Sequence, residues 1–107
     1  MIIEKPIQHY PDGKKFVYFH EEKFVGSFFI VKNEIWDVMI FKRFRGNGFC
    51  VEMLWEFLSE NSGKKWTLYV HKDNAPARKS YEKLGFKYIR NLEIDFIELL
   101  EMEFVSI

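Results

Sequence analysis

The sequence predicts a mixed α/β fold built on one sheet, in the order β-β-β-α-β-α-β-β. Three observations carry that reading. Residues 15–21, 23–31 and 34–41 are strongly apolar runs separated by short polar turns, and the first two alternate at the two-residue period of strands. Residues 48–60 switch to the spacing of a helix. A strand-like run, W-T-L-Y-V-H, then divides that helix from a second one, as in a strand–helix–strand unit.

Taken in order, residues 1–14 read as an N-terminal arm, because Pro6, Pro11 and the pair Asp12-Gly13 are turn chemistry. In the first strand Phe16 and Tyr18 fall on one side, with Val17 and Phe19 on the other. His20 to Lys23 suits a hairpin turn, and Lys32-Asn33 a second. These strands are apolar on both faces, which predicts a sheet covered on both sides. In the first helix Val51, Leu54, Trp55 and Leu58 recur at helical spacing with Phe57 beside them, and Asn61-Ser62-Gly63 ends it. Trp55 and Trp66 are expected in the core. Asn74 is a good N-cap and Pro76 sits in the first turn, where a missing N–H costs little. Ala77, Tyr81 and Leu84 mark one face of that helix and Gly85 closes it. Residues 86–90 and 94–107 read as strands. The one parallel pair is expected between residues 34–41 and 66–71.

Length and charge exclude several classes. A chain of 107 residues fits one domain. Sixteen basic residues balance 16 acidic ones, so there is no electrostatic footprint for nucleic acid or anionic lipid. No apolar run approaches the ~18 residues of a membrane-spanning helix. A single cysteine excludes an internal disulfide framework and a four-thiolate zinc site. His9, His20 and His71 lack the spacing of a helix-borne metal pair, so no metal is expected. The first residues show no basic stretch followed by a long apolar one, and a cytoplasmic location is the expectation.

The chemistry-bearing segment is Arg45-Gly46-Asn47-Gly48-Phe49-Cys50, between a strand and a helix. Its glycines permit a tight turn and a close approach to a ligand. The helix behind it offers free N–H groups and the positive end of its dipole. With Lys42, Arg43 and Arg45 nearby, the loop suits a phosphate or pyrophosphate. Taken alone, it fits an ordinary tight turn as well. Its spacing is neither the dinucleotide fingerprint nor a P-loop.

This loop resembles the acyl-CoA loop of the GNAT superfamily, the GCN5-related N-acetyltransferases, whose pattern is Q/R-x-x-G-x-G/A. Residues 74–86 resemble the same family's N-x-x-A-x-x-x-Y-x-x-x-G-F signature through Asn74, Ala77, Tyr81, Gly85 and Phe86. The close match runs over residues 34–86, about half the chain. The resemblance implies a bound acyl-CoA, most often acetyl-CoA, and direct acyl transfer to an amine, either a small molecule or a protein amine. It implies a pyrophosphate on the amides of Arg45, Gly46, Asn47, Gly48, Phe49 and Cys50. It implies a pantetheine arm beside Val38, Met39 and Ile40, with an N–H near Met39 or Ile40 facing the thioester carbonyl. Tyr81 matches the tyrosine that protonates the departing thiolate; a core aromatic is the alternative. Asn74 matches an asparagine that caps the helix and can reach the ligand, though capping alone would explain it.

The general base is open between Glu34, Asp37 and no dedicated base. A carboxylate can take the proton of an attacking ammonium directly or through water, and Asp37 among Trp36, Val38 and Met39 would be desolvated. Cys50 reads as a small filler. Members of the family usually begin with a strand and two helices that wall the acceptor site, and this sequence reads as a short form lacking them. That gap suggests an open acceptor site or a homodimer in which a second subunit supplies the wall. The rival function is a non-catalytic module that binds acyl-CoA or a protein partner.

Overall fold

A computed structural model describes residues 1–5 and 13–105. Seven strands form one sheet: β1 (Ile2–Lys5), β2 (Gly13–His20), β3 (Lys23–Val31), β4 (Glu34–Ile40), β5 (Lys65–His71), β6 (Lys87–Ile94) and β7 (Ile97–Val105). Helix α1 (Phe49–Glu60) connects β4 to β5, and α2 (Ala75–Leu84) connects β5 to β6. The order across the sheet is β1-β2-β3-β4-β5-β7-β6, and every pairing is antiparallel except β4 with β5. The expected parallel pair is therefore present.

Both helices lie on one face. Phe57 of α1 meets Trp66 at 5.0 Å, and Phe86, just after α2, meets Phe104 at 5.4 Å. Trp66 and Phe104 are cross-strand partners and so share a face. The core fills the space between. Phe28 is fully buried, stacked on Phe16 at 5.3 Å and edge-on to Phe57 at 5.1 Å. Helix α2 is closed as its sequence requires. The Asn74 side chain accepts from the N–H of Ala77 at 3.3 Å, and Gly85 takes the left-handed conformation, φ +108°, that ends α2.

Four expectations change. The N-terminal arm begins with a strand, because Ile2–Lys5 finds the open edge of β2 and pairs from Ile2 opposite Tyr18 to Lys5 opposite Lys15. The strand missing from the short form is thus present; residues 6–12, with His9, Tyr10 and Pro11, lie outside the described residues. The sheet is not covered on both sides, since among the described residues no helix lies on the face carrying Phe29, Trp36 and Tyr69. Apolar strands were the signal, but here aromatic rings cover one another: Trp36 packs on Tyr69 at 5.0 Å, and Phe24 on Phe41 at 4.9 Å. Trp55 is 57% exposed, because the buried stripe of α1 runs through Met53, Leu54, Phe57 and Leu58. The final strands form a hairpin, β6 and β7, longer at its first arm than residues 86–90 suggested.

Candidate active site

The parallel ladder between β4 and β5 is short. Only Glu34 and Ile35 pair with Thr67 and Leu68. Beyond them the strands part, and among the described residues the backbone of β4 from Trp36 onward has no ladder partner toward β5. The parting coincides with a bulge. Met39 faces Ser27 and Trp36 faces Phe29, so Asp37 and Val38 together oppose Phe28. Asp37 carries the bend with φ +50°, a conformation Asp tolerates better than most residues.

A groove of about 420 Å³ opens on the helix side of this gap. Val38 and Ile40 form its β4 wall, Arg45, Gly46, Gly48, Phe49 and Cys50 one end, and Asn74, Ser80 and Tyr81 the far side. The loop is tied by its own hydrogen bonds. Arg45 Nε donates to the Ile40 carbonyl at 2.9 Å, and Asn47 Nδ2 donates to the carbonyls of Phe44 and Arg45 at 3.2 and 3.3 Å. Gly46 and Gly48 sit at φ +81° and +77°. No atom lies within 4 Å of a Cβ added at either, so backbone conformation, not space, calls for glycine.

The start of α1 has no side-chain cap, and its first intrahelical bond runs from Glu52 N to Gly48 O. The N–H groups of Phe49, Cys50 and Val51 are left for a ligand at the positive end of the helix dipole. Arg45 and Lys83 both border the groove. Uncapped amides with two cations fit a phosphate-bearing group, and an unpaired strand edge fits a ligand arm with amides.

Eight of the ten residues expected to contact the acyl-CoA line this groove. Met39 does not; it is placed opposite Ser27 in the ladder. Asn47 does not either, and its amide serves the loop. Asn74 lines the groove while its oxygen caps α2. Lys83, Ser80 and Phe44 were missed. Ser80 and Lys83 follow Pro76 at four and seven residues, a helical spacing that could have revealed them.

Tyr81 is 6% exposed, its ring edge-on to Phe86 at 6.1 Å. Burial, with Cys50 beside it, raises the phenol well above its ordinary value of 10.0, so the hydroxyl keeps its proton. Cys50 is itself pushed up by burial to about 11, which makes it an inert thiol filling space.

The two candidate carboxylates behave differently. Both oxygens of Glu34 are engaged, one accepting from Trp36 Nε1 at 3.0 Å and the other from the Tyr69 hydroxyl at 3.1 Å. Burial and then that carboxylate push the Tyr69 phenol up to about 12. Asp37 is exposed rather than desolvated among its neighbours, because the bulge turns it outward. It lines a pocket of about 280 Å³ with Phe29, Val31 and Trp36, on the face opposite the helices.

The sequence model of the acetyltransferase (GNAT) family matches residues 2–86. The chain belongs to this family. Its enzyme class is accordingly N-acetyl transfer. No curated protein matches the sequence. Among solved structures, a spermidine N-acetyltransferase from Vibrio cholerae, in complex with CoA and spermine, superposes with a TM-score of 0.77 at 18% identity, covering 92% of this chain and 68% of that one. An N-acetyltransferase from Staphylococcus aureus gives 0.74 at 20% identity, covering 84% and 69%. An IAA acetyltransferase from Bacillus cereus gives 0.79 at 11% identity, covering 100% of this chain and 99% of that one. At these identities the likeness is one of fold, the mixed sheet of the GNAT acyltransferases.

Proposed function

We propose that this GNAT protein transfers an acetyl group from acetyl-CoA to a primary amine by direct attack, in the cytoplasm. The observation that carries the reading is the gap between β4 and β5, with the uncapped start of α1 at one end and Tyr81 at its side. Acetyl-CoA would supply an activated thioester. The amides of Phe49, Cys50 and Val51, with Arg45, would hold its pyrophosphate. The unpaired edge of β4 beside Val38 and Ile40 would pair with its pantetheine amides. A strand N–H freed by the bulge would stabilise the oxyanion as the amine attacks.

The reaction forms a C–N bond and breaks the C–S bond. Tyr81, kept protonated by burial, donates a hydrogen bond to the departing thiolate, which takes up the proton that the attacking nitrogen sheds as the amide forms. The acceptor amine enters from the opposite face, through the pocket of Phe29, Val31 and Trp36. Asp37, the exposed carboxylate at that mouth, takes the ammonium proton directly or through water. Glu34, with both oxygens occupied, orients Trp36 and Tyr69 and adds negative charge beside the acceptor.

The test is release of CoA thiol from acetyl-CoA in the presence of spermidine, an aryl amine and a short peptide with a free N-terminus. Amine-dependent release is the expected result. Binding of acetyl-CoA with no release for any amine would replace this reading with the non-catalytic module.

A further inference from the structure

The pocket of Phe29, Val31, Trp36 and Asp37 also reaches Gly13, which brings no side chain to fill it. Two residues along β2 from Gly13 stands Lys15. It is the ladder partner of Phe29, so the two share this face of the sheet. Lys15 is half-buried, with its Nζ over the Phe29 ring at 5.5 Å from the centroid. On the far side of Lys15, its partner in β1 is Lys5. Like charges directly opposite one another destabilise a ladder. Among the described residues neither lysine has a carboxylate partner. An anionic group beside Lys15 would relieve that repulsion.

Negative charge lies on the other side of the pocket. Asp37 stands there on β4, exposed and without an ion pair among the described residues. The other carboxylates of this face are engaged. Glu34 is held by Trp36 and Tyr69, Glu101 by Arg90 and Glu103 by Lys65. Cations on β1 and β2 and a free carboxylate on β4 thus flank two aromatic rings. Lys15 faces Phe29 and Phe29 faces Trp36, so Lys15 and Trp36 are two strand spacings apart, about 10 Å between Cα atoms. Lys15 leans into that span and Asp37 borders its other end. What is left between them suits a carboxylate and an ammonium carried on one carbon.

We propose that the acceptor is a free α-amino acid with an aromatic or large apolar side chain. The inference rests on the reading of this pocket as the acceptor's entrance. Lys15, with Lys5 behind it, holds the carboxylate. Phe29, Val31 and Trp36 take the side chain, and Asp37 receives the ammonium proton. The nitrogen then bonds to the acetyl carbon and the C–S bond breaks. The second proton that the nitrogen sheds passes to the thiolate. The products are an N-acetyl amino acid and CoA.

Two other acceptor classes fit the pocket less well. A volume of about 280 Å³ lies at the small end of ligand pockets and suits one amino acid rather than a peptide. A diamine or polyamine would set its second ammonium against Lys15 and Lys5, where like charge repels it.

Thiol release from acetyl-CoA with phenylalanine, phenylalanine amide, phenethylamine and spermidine decides the matter. The kcat/KM for phenylalanine is expected to exceed that for the amide and for phenethylamine by about tenfold or more, the worth of a contact to a charged group. Lys15→Met keeps an apolar stem on Phe29 without the charge, and in it that preference collapses. Lys15→Arg keeps the charge and retains the preference. Calorimetry of phenylalanine binding to the CoA-loaded protein is expected to weaken in parallel in Lys15→Met, and thermal melts show that each variant is folded. Release with none of the four amines would overturn acetyl transfer itself, and this proposal with it. Release with phenethylamine or spermidine as fast as with phenylalanine would overturn this proposal alone. So would a preference for phenylalanine that survives Lys15→Met.

Discussion

Replacing Tyr81 with Phe removes one hydroxyl and leaves the ring that packs on Phe86. The hydroxyl makes no hydrogen bond within the described residues and borders the groove. Its loss therefore leaves no orphaned partner, and the stability change stays within about 0.5 kcal/mol. In turnover the cost is larger. A hydrogen bond to a charged group contributes about 1.5–3 kcal/mol, and the thiolate carries charge only as it leaves. At 1.36 kcal/mol per factor of ten, kcat falls about 10- to 150-fold. The KM for acetyl-CoA is unchanged, because the interaction belongs to the transition state. The raised phenol also implies that its ionisation adds no falling limb to the pH–rate profile below pH 10. Stopped-flow or steady-state thiol release gives kcat, calorimetry gives acetyl-CoA affinity, and a thermal melt gives stability. A variant that keeps more than half of wild-type kcat, or that loses acetyl-CoA binding while folded, would refute the assignment.

Other outcomes follow from the same geometry. Phe28→Ala empties a fully buried site between Phe16 and Phe57 and is expected to cost about 3–5 kcal/mol in urea unfolding. Asn74→Ala loses the α2 cap and about 1 kcal/mol, whereas Asn74→Asp keeps both; a further loss of acetyl-CoA affinity in the Asp variant would reveal a contact through the amide. Burial, with Glu52 beside Tyr18 and Glu34 beside Tyr69, pushes both phenols up from 10.0 to about 12. Their contribution to stability is complete below pH 10 and is lost as pH rises through about 12, so absorbance titration at alkaline pH shows late phenols that unfold as they ionise. Tyr69→Phe removes one of these late transitions and frees an oxygen of Glu34.

The sequence was most legible where one local rule decides the structure. The Asn74 cap, Pro76 and Gly85 bound α2 to the residue, and the glycines of 46–48 marked the turn into α1. The features it hid depend on distant partners. Ile2–Lys5 is a strand only because β2 offers it an edge. Helical spacing in α1 showed that a stripe exists, but the buried stripe runs through Met53, Leu54, Phe57 and Leu58 and leaves Trp55 outside it. The bulge at Asp37 arises from β3 and β4 slipping register, which no side-chain pattern announces. The clamp on Glu34 needs Tyr69, 35 residues away, so a strand-end carboxylate concealed a hydrogen-bonded one.

The central claim is that the gap between β4 and β5 and the amides of α1 hold an acyl-CoA. Isothermal titration calorimetry with acetyl-CoA tests it most directly, with Gly48→Trp as the control. Gly48 needs its left-handed backbone, and an indole there would stand at the mouth of the anion site. The account predicts micromolar binding to the wild-type protein and none to a folded Gly48→Trp variant. No binding by the wild type, or equal binding by both, would contradict it.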